Sequence, residues 1–217
     1  MPSARCAGRS SRRDDVSDGR ALGGTVEVRE AGDVDTPAVE RIVEAAFGEH
    51  GVAINDVMAR LRGVEEDMAV ELVAVADDEI VGCVALSRAW LDARERLVDV
   101  LVLSPLAVAP ERQGRGIGSR LLAEVPPVAE RLGAPLVFLE GAPGYYGNRG
   151  WSPASTHGLE RPSFRIPEPA CQVLLLAGHE PWMTGRLVYP DAWWRLDLVG
   201  LRDPELGEVE RALGGGR

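Results

Sequence analysis

The chain of 217 residues predicts a mixed α/β fold, a central sheet flanked by helices, and three observations carry that prediction. Segments of alternating polar and β-branched residues, the period of a half-buried strand, are interleaved with segments whose apolar residues recur every three or four positions, the period of an amphipathic helix. A nearly uninterrupted apolar run at residues 97–108 is long enough to be a central strand. A turn with three glycines follows it and leads into another helical pattern.

Taken in order, Thr25-Val26-Glu27-Val28-Arg29 alternates and predicts the first strand. Asp33 or Asp35 is placed to cap a helix whose Val39, Ile42, Val43, Ala46 and Phe47 form one apolar face ending at Gly48. Asn55 opens a second helix through Val57, Met58 and Leu61, stopped by Gly63. Two strands at 69–76 and 80–89 are joined across Asp77-Asp78-Glu79 as a hairpin. In the run at 97–108, Ser104-Pro105 interrupts regular pairing, because a proline offers no N–H to a ladder, so a bulge or split is expected there. The next helix starts near Gly116, meets a kink at Pro126-Pro127 and ends before Gly133. Strands at 135–140 and 171–177 complete the pattern.

Composition narrows the function. A net charge of −10 opposes a nucleic-acid partner, since phosphate neutralisation needs a basic face. No apolar run approaches the roughly 18 residues of a membrane span. All 24 basic residues are arginine, so the chain has no lysine of its own to modify. Three cysteines, Cys6, Cys83 and Cys171, and three scattered histidines suggest neither a disulfide framework nor a metal site, and a reducing cytoplasm is the expected location. Residues 1–24 are expected to form a disordered arm, 25–195 the folded domain, and 196–217 a C-terminal tail.

The segment Leu106-Ala107-Val108-Ala109-Pro110-Glu111-Arg112-Gln113-Gly114-Arg115-Gly116-Ile117-Gly118-Ser119 joins a strand end, a glycine turn and a helix start. Such a turn binds anions: glycines admit close backbone approach, and the first amides of the helix point outward from a positive dipole end. A diphosphate suits it, assisted by Arg112 or Arg115. A Walker loop is excluded by the missing lysine. A dinucleotide-binding turn remains open, with Glu140 as its ribose acid, although Ser119 stands where its third glycine belongs and five residues separate strand from glycines. A flexible turn without a ligand is a further reading.

The string Gln113-x-x-Gly116-x-Gly118, with the preceding Leu106-Ala107-Val108-x-Pro110, resembles the Q/R-x-x-G-x-G/A loop of the GNAT superfamily of N-acetyltransferases. Downstream, Gly141-Ala142-Pro143-Gly144-Tyr145-Tyr146-Gly147-Asn148-Arg149-Gly150-Trp151 is similar to the G-D-P-x-Y-Y-x-R-F-G-F segment of its YhbS-like branch, as are Gly158-Leu159 and Gly185-x-x-x-Tyr189-Pro190. The resemblance covers residues 25–194 and implies a mostly antiparallel sheet splayed at a bulge, with acetyl-CoA as co-substrate. It implies that backbone groups of Leu106, Ala107 and Val108 pair with the pantetheine arm. Arg112, Gln113, Gly114, Arg115, Gly116, Ile117, Gly118 and Ser119 would then hold the pyrophosphate. Ala142, Asn148 and Arg149 depart from the branch pattern.

Acetyl transfer to an amine needs a base for the ammonium, with a pKa of ~10.4 for a lysine-like amine, and an acid for the departing thiolate. The resemblance implies Tyr146 as that acid, with Tyr145 the adjacent alternative. Glu140, at the end of its strand, is the candidate base; Asp99, His50 and His157 are the others. The expected reaction is transfer from acetyl-CoA to a small-molecule or peptide primary amine by direct attack in a ternary complex. An acyl-CoA-binding sensor without a working base is the second reading, and an NAD-dependent oxidoreductase the third. Trp182, Trp193 and Trp194 are candidates to line an acceptor pocket, and an exposed final strand could pair with a second subunit as a homodimer.

Overall fold

A computed structural model describes residues 25–64 and 67–200; the expected arm at 1–24 and the tail from 201 lie outside the described residues. The strands are β1 (Glu27–Glu30), β2 (Met68–Ala76), β3 (Glu79–Ala93), β4 (Leu97–Val108), β5 (Leu136–Glu140), β6 (Ser152–Pro153), β7 (Leu159–Glu160), β8 (Cys171–Leu175) and β9 (Gly185–Val188). The helices are α1 (Thr36–Phe47), α2 (Gly51–Arg62), α3 (Ile117–Ala123), α4 (Val125–Arg131), α5 (Pro143–Tyr146) and α6 (Asp191–Arg195). One sheet runs β1-β2-β3-β4-β5-β8-β6, with β9 joining the far end of β3 and β7 pairing with β9. Neighbours are antiparallel except β4 with β5 and β7 with β9.

The helical starts differ from expectation in instructive ways. Asp35 does not cap α1 with its side chain; its carboxylate accepts the Gly32 N–H at 2.8 Å and the Arg29 guanidinium at 2.6 and 2.9 Å, closing the turn before the helix. Helix α2 begins four residues before Asn55, whose Nδ2 instead donates to Glu40 O and Glu44 Oε1 and ties α2 to α1. Gly51 makes that approach possible, because a Cβ there would lie 2.4 Å from the Glu44 Cα. The hairpin forms as expected, with Asp77 and Asp78 both at positive φ, the twist that a two-residue connection requires. Pro126 falls in the first turn of α4, where its missing N–H has no helical partner to lose.

Each sheet face buries its own helices. Val84, Leu86, Leu101, Leu103, Val137 and Leu139 pack against Ile117, Leu121, Leu122 and Val125 of α3 and α4. On the opposite face Val73, Cys83, Ala85 and Ala107 meet Val39, Val43, Ile54 and Met58 of α1 and α2. Farther along that same face Leu91, Val100, Val102 and Phe138 meet Val57, Leu61 and Trp193. Truncating a fully buried leucine such as Leu61 or Leu121 to alanine would cost about 2–5 kcal/mol. Packing continues past the boundary expected at 195: Leu196 and Leu198 lie against this core and Val199 is fully buried. The domain therefore runs at least to Val199, since three apolar side chains gain more from burial than a tail would.

The expected interruption of β4 is present and decisive. Val84 pairs with Leu106, but Leu86 pairs with Leu103, so Ser104 and Pro105 together oppose the single residue Ala85. This bulge reverses the alternation: Leu101 and Leu103 face α3 and α4, and beyond the bulge it is Leu106 and Val108 that do so. Pairing of β4 with β5 ends at Leu103 with Leu139. Past that point β5 belongs to β8, with Glu140 opposite Cys171, and Gly141 donates its N–H to Ala170 O while accepting from Gln172 Nε2. The two strands therefore diverge and leave a slot through the sheet.

Candidate active site

The open edge of β4 follows from hydrogen-bond alternation. Ala109 donates its N–H to Val81 O across the β3 pairing, so Ala107 also faces β3, and Leu106 and Val108 present their backbone groups to the slot. Ala107, expected among the contact residues, is thus turned away, with its side chain buried beneath α1. The Val108 carbonyl accepts Gln113 Nε2 at 3.0 Å, folding the turn back on the strand end.

Gly114 at φ 71° and Gly116 at φ 82° make the turn, and a Cβ at either would stand in open space, so backbone conformation rather than crowding calls for glycine. Helix α3 is seated by a third glycine: a Cβ on Gly82 would be 3.2 Å from Ile117 and Leu121. Leu106, Val108, Arg112, Gln113, Gly114, Gly116, Ile117, Gly118 and Ser119 line one cavity of about 920 Å³ together with Glu140, Tyr145 and Tyr146. Arg115 is not among its walls. Arg112 is, while also lying 3.5 Å from Asp77 and 3.9 Å from Glu79. A turn of glycines and small residues at the start of a helix, with one arginine on the cavity wall, suits a diphosphate.

The two tyrosines of α5 diverge. Their rings meet edge to face at 4.9 Å. The Tyr145 hydroxyl reaches the glycine turn, the candidate diphosphate cradle, where a Cβ on Gly118 would be 2.6 Å from it. The Tyr146 ring lies over the end of β5, where a Cβ on Gly141 would be 2.2 Å away, and packs on Trp151. Arg149 stacks on Tyr145 at 4.0 Å, donates to the Tyr145 carbonyl, and places Nε and Nη2 at 3.1 and 2.9 Å from the Ser119 hydroxyl. Sequence reasoning saw Arg149 only as a departure from a pattern; in the fold it clamps α5 to the start of α3.

Glu140 follows Leu136 and Phe138 on its strand and faces the α2 and α6 side, opposite the cradle. Its Oε1 accepts a 2.7 Å hydrogen bond from the Tyr189 hydroxyl. Burial, then the nearby Glu140 charge, pushes Tyr189 well above the usual tyrosine range, so it remains a donor. Tyr189, His50 and Trp193 all line the cavity. Tyr189 was visible in sequence only as part of a resemblance, because 49 residues separate it from Glu140. The other candidates fall elsewhere. Asp99 is exposed, on the outward side of β4, because the strand alternates there. His157 Nε2 lies 2.8 Å from the Ser152 hydroxyl and does not line the cavity. Trp182 packs under Arg96, and Trp194, 42% exposed, donates its Nε1–H to the Tyr189 carbonyl and does not line the cavity. Burial raises the Cys83 and Cys171 thiols to about 12, which leaves them poor nucleophiles.

No described helix is long and apolar enough to cross a membrane. Residues 27–154 match the family described as acetyltransferase (GNAT) domain. The uncharacterized N-acetyltransferase YjhQ of Escherichia coli K12 is 31% identical over 169 residues, covering 70% of this chain and 92% of that protein. Among solved structures, the GNAT family N-acetyltransferase YhbS from Escherichia coli, in complex with CoA, superposes with a TM-score of 0.70 at 25% identity, covering 81% of this chain and 95% of that one. A GNAT family acetyltransferase from Brucella melitensis, in complex with acetyl-CoA, shares the fold with a TM-score of 0.62 at 24% identity, covering 78% and 98%. With the slot, the glycine turn and the family match all in one domain, the chain belongs to the GNAT family of N-acetyltransferases.

Proposed function

We propose that the protein transfers an acetyl group from acetyl-CoA to a primary amine by direct attack, with the two substrates meeting in the slot between β4 and β5. The observation that carries this reading is the division of one cavity between two sheet faces: glycine turn, Tyr145 and Tyr146 on one, Glu140 and Tyr189 on the other. The pyrophosphate would rest on the amides of residues 113–119, and the pantetheine arm on the open backbone groups of Leu106 and the N–H of Val108. Acetyl-CoA supplies an activated thioester carbonyl.

Glu140 takes a proton from the ammonium of the acceptor and passes it to solvent, freeing the lone pair for attack. A carbon–nitrogen bond forms and the carbon–sulfur bond breaks. Tyr146, over the end of β5, protonates the departing thiolate, and the second nitrogen proton restores its hydroxyl by way of solvent. Neither described cysteine, Cys83 or Cys171, lines the cavity, and burial raises both thiols, which supports direct attack over an acetyl intermediate on either of them. Tyr145, with its hydroxyl at Gly118, is a positioning residue for the coenzyme. Two buried free thiols also suit a cytoplasmic protein.

The test is calorimetric binding of acetyl-CoA and of NAD, paired with a thiol assay for coenzyme release in the presence of primary amines. Acetyl-CoA binding with amine-dependent release is expected. Tight NAD binding without acetyl-CoA binding would overturn the reading, and acetyl-CoA binding without release would favour the sensor.

A further inference from the structure

The half of the cavity opposite the cradle is chemically one-sided. Its walls include Phe47, Ile54, Trp193 and Leu198, with His50 and the Glu140 carboxylate as the polar groups beside Tyr189. Ile54 and Trp193 are 2% and 3% exposed, part of the cores that bind α2 and α6 to the sheet, so this wall is fixed rather than assembled by the ligand. The arginines that line the cavity, Arg112 and Arg149, both belong to the cradle half: one closes on Asp77 and Glu79, the other on Tyr145 and Ser119. Among the described lining residues, the acceptor half therefore offers the Glu140 carboxylate, the Tyr189 hydroxyl and the His50 imidazole, no guanidinium, and otherwise mostly hydrocarbon or indole surface.

We infer that the acceptor is a primary amine with an apolar body and no anionic group; this rests on the acetyl-transfer reading and names its substrate class. The ammonium is held by the Glu140 carboxylate, itself positioned by the Tyr189 hydroxyl. The body lies between Phe47 and Ile54 on one side and Trp193 and Leu198 on the other, where it leaves water. A carboxylate on the same molecule would be brought against the Glu140 charge and hydrocarbon with no guanidinium to pair it, and that mismatch selects against amino acids. The second ammonium of a polyamine would need a second acid. A peptide would bring backbone amides to a wall that has few partners for them.

The experiment compares coenzyme release from acetyl-CoA with 2-phenylethylamine, ethylamine, phenylalanine, spermidine and a lysine-containing peptide. The expected result is a kcat/KM for 2-phenylethylamine about 10-fold or more above ethylamine, from burial of the ring, and about 100-fold above phenylalanine, from the unpaired carboxylate. Phe47→Ala, at a half-buried position packed on the edge of the α1–α2 core, should shrink the advantage over ethylamine and leave the KM for acetyl-CoA unchanged. Faster turnover of phenylalanine, spermidine or the peptide than of 2-phenylethylamine would overturn the acceptor class while leaving acetyl transfer standing. An undiminished advantage in Phe47→Ala would overturn the placement of the body. Bound acetyl-CoA with no release from any amine would instead remove the transfer reading beneath the proposal.

Discussion

The hydroxyl of Tyr189 donates to Glu140 Oε1 at 2.7 Å, linking the connection before α6 to the end of β5. The titratable groups around this carboxylate include Tyr189, the Cys171 thiol opposite it on β8, and His50 on the same side of the cavity; Tyr145 and Tyr146 lie across it, with Arg149 on that far side. A donor to a carboxylate favours its charged form, so Tyr189→Phe makes Glu140 harder to ionise. The acidic limb of the kcat/KM profile should move up by roughly half to one pH unit, the equivalent of one hydrogen bond of about 1 kcal/mol. Glu140→Gln should lose the limb and about 100-fold or more in rate. A profile unmoved in Tyr189→Phe, with the limb abolished in Glu140→Gln, would show that the hydroxyl is structural.

Divergence of the two tyrosines predicts divergent kinetics. Tyr146→Phe should lower kcat by about 100-fold or more while acetyl-CoA binding holds. Tyr145→Phe, whose hydroxyl sits at the cradle, should raise the KM for acetyl-CoA and alter kcat less. Steady-state kinetics with calorimetric binding separates the two, and an unchanged rate in Tyr146→Phe would remove it as the acid.

The glycine turn predicts a loss confined to the coenzyme. Gly116→Ala places a Cβ at φ 82°, a strain of about 1–2 kcal/mol, with open space around it. Acetyl-CoA affinity should fall roughly 10-fold with the fold retained. Binding at the original affinity would show that the turn is not the cradle.

Stability in acid should reveal the Asp35 turn. The Arg29 guanidinium, and then the Gly32 N–H, lower Asp35 to about 2. Its unfolded value is ~3.9, so its contribution is fully present above about pH 4 and is lost as pH falls through the folded value. Asp35→Asn should lower the Tm at pH 7, and the gap to the parent protein should close between about pH 4 and pH 2. A constant gap would exclude the charge as its source.

Much of the fold was legible because periodicity reports burial directly. Residues 97–108 were read with the bounds that β4 shows, and Ser104-Pro105 marked the bulge, because a proline cannot serve a ladder whatever surrounds it. Helix starts were less legible: Asn55 and Asp35 look like caps locally, yet each found a stronger partner across the fold. The glycine turn was readable from local chemistry, whereas the face on which Glu140 lies was not, since only the register with β8 and the bulge in β4 decide it. Short elements such as β6, β7 and β9 carry two to four residues each, too few to show a period.

The central claim, that coenzyme and acceptor meet through the slot from opposite faces, is tested most directly by a crystal structure of the protein with acetyl-CoA. The diphosphate should rest on the amides of residues 113–119, the sulfur should lie within roughly 3–3.5 Å of the Tyr146 hydroxyl, and the thioester carbonyl should be open to Glu140. A coenzyme bound outside the cradle, or a sulfur against Tyr145 with Tyr146 turned away, would contradict it.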